Sequence, residues 1–283
     1  MKIKIPDSIT KIGNSSFEEC LSLVQITIPN SIVSIGNYAF YQCSSLKQFY
    51  IPSSVTLIGS SVFSGCVSLE QIKIPPSITT IKNYLFYSCS SLKCVSIPSS
   101  VTSIGDRSFG SCSSLEKIEI PSSVTEIGKG AFADCKLLTQ ISIPSLVTII
   151  KKDVFNGCSS LVQVLIPPSV ISIEEFSFAN CSSLKQIEIP PSVIEIKDYA
   201  FCKCSSLINI SFPSSVALIG ILAFNECASL SKVEILSSNI TIKKDCFKDY
   251  PLLTKIIIHS DLIDIQNCHF PKNAIITKNN DKS

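Results

Sequence analysis

What this chain holds little of narrows its chemistry at once. It has a single arginine, Arg107, and its 24 Lys and Arg residues face 22 Asp and Glu, leaving a net charge of +2 spread along the whole length. Reading phosphates and base edges takes clustered Arg and Lys, so a nucleic-acid partner is not expected. The only histidines are His259 and His269, which removes a Ser-His or Cys-His pair from every other part of the chain. No Gly-rich loop of the kind that cradles phosphate occurs. The chain is 45% apolar, yet no uninterrupted apolar run approaches the ~18 residues a spanning helix needs, so membrane insertion is not expected. No apolar leader precedes Ile3 either.

What is present is a period. Prolines stand 23 residues apart at Pro6, Pro29, Pro52, Pro75, Pro98, Pro121, Pro144, Pro167, Pro190 and Pro213, after which Leu236 and His259 take the register. A phenylalanine column runs without exception from Phe17 through Phe40, Phe63 and so on to Phe270. No insertion leaves room for a linker, so residues 1–276 read as a single array of about twelve 23-residue registers, the first and last incomplete, followed by a polar tail over 277–283.

Each unit reads L-x-x-I-x-I-P-x-S-V-x-x-I-G-x-x-x-F-x-x-C-x-S. The alternation at Leu115, Ile118 and Ile120 is that of a short, half-buried strand. Pro121 ends its ladder because the ring removes the amide hydrogen and fixes φ. Val124 and Ile127 then return the chain along the opposite side. The Gly that often follows permits a turn there, although Lys82, Glu174 and Lys197 in the same slot show that a positive φ is not obligatory. A unit this short cannot enclose a core alone, so its apolar residues must be buried against the copies on either side. The expected fold is a repeat solenoid with one parallel β-sheet on the concave face and short strands or turns on the convex face. At its start Ile3, Ile5, Ile9 and Ile12 have no capping unit before them. The expectation is that this end is covered by further sequence or by self-association through the uncapped N-terminal coil.

The L-x-x-I-x-I pattern resembles leucine-rich repeats, and the 23-residue form with I-P, I-G, A-F and C-x-S-L resembles the BspA-like subclass, found in surface proteins of mucosal bacteria and protozoan parasites. The resemblance covers residues 3 to 276 and decays at the end, where Leu236, Tyr250 and His259 replace the expected Pro and Cys. It implies a right-handed leucine-rich-repeat coil.

Ten cysteines, from Cys20 through Cys112 to Cys227, share one column three residues after each Phe. Stacking brings neighbours within the Cα range of a disulfide, but parallel Cβ vectors do not aim one sulfur at the next, and a straight column diverges from zinc's tetrahedral demand. The favoured reading is a thiol used as a small buried hydrophobe whose weak S–H bonds to the turn. Alternating disulfides are the second reading and a metal site the third. Of the four cysteines outside the column, Cys202 makes a C-x-C with Cys204, and Cys268 lies near His269 and His259. These read as residues of ordinary loops. No cofactor, metal or catalytic constellation is expected. Three N-x-S/T sequons, at Asn14, Asn209 and Asn239, are no more than chance gives in a chain this rich in Ser and Thr, and carry no inference about secretion.

Solenoids bind through the strand positions that point outward. One outward column reads Gln48, Gln71, Cys94, Lys117, Gln140, Gln163 and Gln186; its neighbour reads Tyr50, Lys73, Ser96, Glu119, Ser142, Leu165 and Glu188. The first is expected to be an amide ladder with side chains bonding along the stack. The second varies in size and sign as a recognition surface would. Tyr50, beside Gln48 and Lys73, is the expected anchor, because aromatic residues dominate interface energetics. On the outer turn, Tyr38, Tyr84, Phe176, Tyr199 and Leu222 are read as packing over the turn.

These residues point to a noncatalytic protein-binding solenoid. The resemblance implies in addition a cell-surface or extracellular adhesin that meets a host matrix or cell-surface glycoprotein. The alternative is an intracellular leucine-rich-repeat scaffold or regulatory module, for which a cytoplasmic location and reduced thiols would be the natural setting.

Overall fold

The computed structural model describes residues 1–247, 250, 252–259 and 274–278. The chain divides into two compact units, Met1–Leu138 and Thr139–Ser283. Each is a parallel β-solenoid; together they hold about 11 turns, with no helix among the described residues.

In the first unit, Lys2–Lys4 pairs with Gln25–Thr27, and Gln71–Lys73 pairs with Cys94–Ser96, both in parallel and both offset by one repeat. Two-residue strands on the return path form a second ladder, Ser34–Ile35 lying between Lys11–Ile12 and Leu57–Ile58, and Ser103–Ile104 between Thr80–Ile81 and Glu126–Ile127. The second unit repeats the scheme. Gln140–Ser142 pairs with Gln163–Leu165, and Asn209–Phe212, Lys232–Ile235, Lys255–Ile258 and Ile275–Lys278 form a four-stranded ladder. Its return ladder runs from Ile149–Ile150 through Ser172–Ile173, Glu195–Ile196 and Leu218–Ile219 to Thr241–Ile242.

The consensus residues explain themselves in this frame. The carbonyl of each Pro accepts the turn bond from the residue three further on, as Val55 N–H donates to Pro52 O at 3.1 Å. The Ser between them reaches back one coil. Ser54 Oγ donates to Ile32 O at 2.7 Å and Ser100 Oγ to Ile78 O at 2.7 Å, with the same bond from Ser169 to Val147 O and from Ser192 to Val170 O in the second unit. A small hydroxyl is kept there because it satisfies a carbonyl that the return strand leaves over.

A third ladder runs along the outer turns, where no strand forms. Phe40 N–H donates to Val62 O at 3.0 Å, and on either side Tyr38 N–H donates to Ser60 O and Gln42 N–H to Ser64 O, at 3.0 and 2.7 Å. Tyr38 and Gln42 are left-handed, with φ of 56° and 55°, so alternate N–H groups all point along the stack. The same two slots are left-handed in coil after coil, filled by Ser15, Tyr84, Arg107, Asp153 and Leu222 at one and Glu19, Ser88, Asn180 and Lys203 at the other. A non-Gly residue in this region costs roughly 1–2 kcal/mol, and the inter-coil bonds offset it, since a buried N–H left without an acceptor costs as much or more.

Beneath these turns the Phe rings stack face to face. In the first unit centroids are 5.1 to 5.9 Å apart from Phe17 to Phe132, and Phe40 to Phe132 are fully buried. In the second unit Phe178, Phe201 and Phe224 stack at 5.1 Å steps. Each ring fills the layer that its neighbours cannot close alone. At the start of the first unit, Ile5 and Ile12 are in fact buried, at 6% and 4% exposure, while Ile3 is half-buried and Ile9 exposed.

The glycine after the return strand is there for room and not for a positive φ, as the Lys and Glu found in the same slot require. None of Gly36, Gly59, Gly105, Gly128 and Gly220 has a positive φ. Each instead faces an Asn or Asp one coil earlier: Asn14, Asn37, Asn83, Asp106 and Asp198. The side-chain oxygen of that residue caps an N–H of the next coil, as Asn37 Oδ1 does for Ser60 at 2.8 Å and Asp198 Oδ1 for Ile221 at 2.8 Å. A Cβ on Gly59 would collide with this Asn37 oxygen and lie 2.5 Å from Asn37 N. Where the earlier coil carries Ser60, Lys152, Glu175 or Ile221 in place of Asn or Asp, the slot holds Lys82, Glu174, Lys197 or Lys243. The cap and the glycine therefore come as a pair. Gly59→Ala is expected to lower stability by about 1–3 kcal/mol, the usual cost of forcing atoms into a filled site. Lys82→Ala in the same register should leave the urea midpoint almost unmoved.

Candidate interaction surface

On the strand face of the first unit the burial pattern alternates. Ile72 is buried at 5% while Gln71 and Lys73 point outward, and Val95 is buried between exposed Cys94 and Ser96. The coil before them departs from this regularity. At the inward position the repeat has Phe49, whose ring meets Phe40 and Phe63 edge-on at 4.8 and 4.7 Å. The wedge holds Phe40 and Phe63 5.9 Å apart, against 5.4 to 5.6 Å for the next three steps of the column. Residues 48–50 keep only an isolated bridge, Gln48 to Gln71, in place of a full strand. Tyr50 is carried outward on this segment and is 70% exposed.

Beside it lies a depression of about 330 Å³ lined by Gln48, Phe49, Tyr50, Gln71, Ile72, Lys73, Cys94 and Ser96. It exists because two small side chains, Cys94 and Ser96, occupy positions filled in the preceding coil by Gln71 and Lys73. Their neighbours stand over them as walls. The structure thus brings together Gln48, Tyr50, Gln71 and Lys73 of the expected surface. Sequence reasoning missed Cys94 and Ser96 as members of the site; the available signal was the drop in side-chain size in two adjacent columns at once.

Lys117 and Glu119 lie on the same face of the first unit, exposed, on a segment outside the named strands and outside the depression. The remaining candidates belong to the second unit. Gln140 pairs in register with Gln163, and Ser142 with Leu165, which is 55% exposed. Gln186 and Glu188 are exposed on a segment with no assigned strand. The expected amide ladder does not form, since none of Gln48, Gln71, Gln140, Gln163 and Gln186 hydrogen-bonds to the next. The side chains that do bond along the stack are the serines and the Asn/Asp caps described above. The amides are left with donors and acceptors turned to solvent.

On the outer turns Tyr38 packs edge-on to Tyr41 at 5.8 Å and Tyr84 to Tyr87 at 5.7 Å, each within its own coil. In the second unit Phe176 stacks on Tyr199 at 4.8 Å, and Lys152 Nζ lies 5.7 Å from the centroid of Phe176. These contacts pack side chains over the turns. Near the end of that unit Glu234 receives Lys232 Nζ at 3.0 Å and faces His259 Nε2 at 3.4 Å. The hydrogen bond from Lys232 holds its carboxyl below the usual range. His259 is thereby engaged by a carboxylate, and Cys268 and His269, grouped with it above, lie outside the described residues.

The cysteine column follows the first of its three readings. Cys66 Sγ donates to Phe40 O at 3.2 Å, Cys89 to Phe63 O at 3.0 Å and Cys112 to Phe86 O at 3.1 Å, with the same bond at Cys181 and Cys204 in the second unit. None of the described cysteines is in a disulfide. Burial pushes the Cys43 thiol up to about 12, and that of Cys89 well above its ordinary value. A thiol held protonated is a donor, not a nucleophile.

Comparison with known proteins agrees with this architecture. The sequence profile of the BspA type leucine-rich repeat region matches residues 1–101, 34–162, 79–204 and 148–277. A leucine-rich repeat protein from Bacteroides ovatus superposes with a TM-score of 0.73 at 28% identity, over 98% of this chain and 83% of that one. A leucine rich cell surface protein from Faecalibacterium prausnitzii superposes with a TM-score of 0.51 at 30% identity, over 83% of this chain and 79% of its own. The pneumococcal vaccine antigen PcpA shares the fold at 17% identity, with a TM-score of 0.52 over 98% of this chain and 89% of its own. No curated protein matches the chain.

Among the described cysteines, native protein treated with N-ethylmaleimide at neutral pH should be modified first at Cys94, the exposed cysteine of the depression, and more slowly at half-buried Cys20. The column from Cys43 to Cys227 should react only after unfolding, which peptide mass mapping will read directly.

Proposed function

Because the chain belongs to the BspA type leucine-rich repeat family, a group of repeat protein-interaction modules, we propose that it is a noncatalytic cell-surface adhesin. Its partner would be a host matrix or cell-surface glycoprotein. The observation that carries the reading is the strand face itself. From Gln48 to Glu188 it presents exposed Gln, Lys, Glu, Tyr and Leu whose side chains make no bonds to one another, whereas Lys232 and Glu234 pair further along, and the repeated residues beneath them are spent on the stack. Such a face suits extended contact in which many modest interactions add up. The likeness to a leucine rich cell surface protein at 30% identity supports the location. No helix of the described residues is long and apolar enough to cross a membrane.

One observation favours a second reading, an intracellular scaffold or regulatory module. None of the thirteen described cysteines is in a disulfide, and thiol-rich chains without disulfides are typical of reducing compartments. The two readings part in one experiment. Labelling intact source cells with a membrane-impermeant reagent, followed by capture from host matrix and from source-cell lysate with the folded chain, should give surface labelling and enrichment of matrix glycoproteins. Labelling only after lysis, with cytosolic partners alone, would replace the adhesin by the scaffold.

A further inference from the structure

We infer that the depression beside Tyr50 receives an extended acidic peptide segment, with a carboxylate of the partner against Lys73 and an apolar or aromatic side chain of it against the Tyr50 ring. The inference rests on the reading of the strand face as an interaction surface, and names the chemistry that surface selects.

Charge is the first ground. The outward strand positions of the first unit carry Lys2, Lys4, Lys73 and Lys117 against one acid, Glu119. The flanking column of Lys47, Glu70, Lys93 and Glu116 cancels itself. In the second unit Lys197 sits 3.5 Å from Glu174 and 3.6 Å from Glu195, and Lys232 sits 3.0 Å from Glu234. Lys73 has no such carboxylate, although it lines a concavity, where field lines focus and a counter-charge is held best.

The aromatic is the second ground. From Phe40 to Phe247 the Phe column is buried, whereas Tyr50 stands at the mouth of the depression at 70% exposure, its hydroxyl without a partner. The Phe49 wedge beneath it fixes the backbone that carries the ring. An aromatic positioned in advance contributes contact area at little cost in conformational entropy.

The amides are the third ground. Gln48 and Gln71 line the same depression and are joined through the backbone bridge. Each side chain offers both a donor and an acceptor, the pair of functions that a peptide unit presents. A volume of about 330 Å³ lies at the small end of ligand pockets and seats one large side chain with its neighbouring peptide units. That size selects a segment of chain over the face of a folded domain. A single lysine flanked by amides also differs from the cluster of cations that a sulfated glycan would require.

The test uses the whole chain and a fluorescein-labelled octapeptide of alternating Glu and Tyr, with Gln-Tyr and Lys-Tyr octapeptides and a heparin hexasaccharide as comparisons. By fluorescence anisotropy the Glu-Tyr peptide should bind about tenfold more tightly than the Gln-Tyr peptide, and the margin should shrink as salt rises. It should also slow the reaction of Cys94 with N-ethylmaleimide. Lys73→Glu should abolish both the preference and the protection, Tyr50→Ala should weaken both peptides by about tenfold, and Lys203→Glu in the second unit should change neither. Lys73 and Tyr50 are exposed, so an unchanged thermal midpoint will show that the variants fold. Equal affinity for the Glu and Gln peptides, no measurable binding of either, or an undiminished preference in Lys73→Glu overturns the proposal. Tighter binding of the hexasaccharide assigns the depression to a sulfated glycan and overturns it as well. A matrix partner whose binding survives Lys73→Glu would leave the broader reading of the strand face standing without this one.

Discussion

Everything in this protein depends on backbone groups that no coil can satisfy by itself. Each turn passes its N–H groups to carbonyls of a neighbouring coil along two strand ladders and along the left-handed outer turn. A chain that must bond to its own copy at a fixed offset tolerates neither insertion nor deletion. That is the physical reason for a period of 23 residues kept without interruption from Pro6 to Pro213. The repeated side chains serve the same end. Serine returns a hydroxyl to a carbonyl one coil back, cysteine lends its S–H to the Phe carbonyl of the preceding coil, and Asn or Asp caps the N–H of the following coil while a glycine makes room.

This division of labour explains what could be read in advance. Phe, Pro, Ser and Cys were legible because each fills its slot in most coils, so its column shows in the sequence. The left-handed positions were not legible. Tyr38, Ser61, Arg107, Asp153 and Leu222 share a φ near 55° and no chemistry, since what holds them is the ladder and not the side chain. The glycine column was visible but its role was not, because its partner sits 22 residues earlier and only stacking brings the two together. Pairing Gly36 with Asn14 and Lys82 with Ser60 needs the register of two coils at once.

The candidate site was legible in the same uneven way. Tyr50 and Lys73 stood out as large or charged departures from their columns. Cys94 and Ser96 create the depression by being small, and smallness in an exposed column resembles ordinary surface variation until the walls around it are seen. Phe49 was hidden for a further reason. It replaces the usual inward Ile or Val without changing polarity, yet its ring wedges edge-on against Phe40 and Phe63 beneath the segment that presents Tyr50. The amide column shows the converse hazard, a repeat that looked structural and whose side chains prove to bond to none of their neighbours in the stack. Repetition marks the fold only where a partner one coil away uses it.

The outer turns are a hydrogen-bonded ladder and not loops resting on a sheet. Native-state hydrogen exchange resolved by residue tests this most directly. The amides of Tyr38, Phe40 and Gln42, and of Tyr84, Phe86 and Ser88, should be protected to the same degree as those of the strand Gln71–Lys73 and be lost with it in one cooperative opening. Exchange of the turn amides at the rate of an unstructured loop, with the strand still protected, would contradict it.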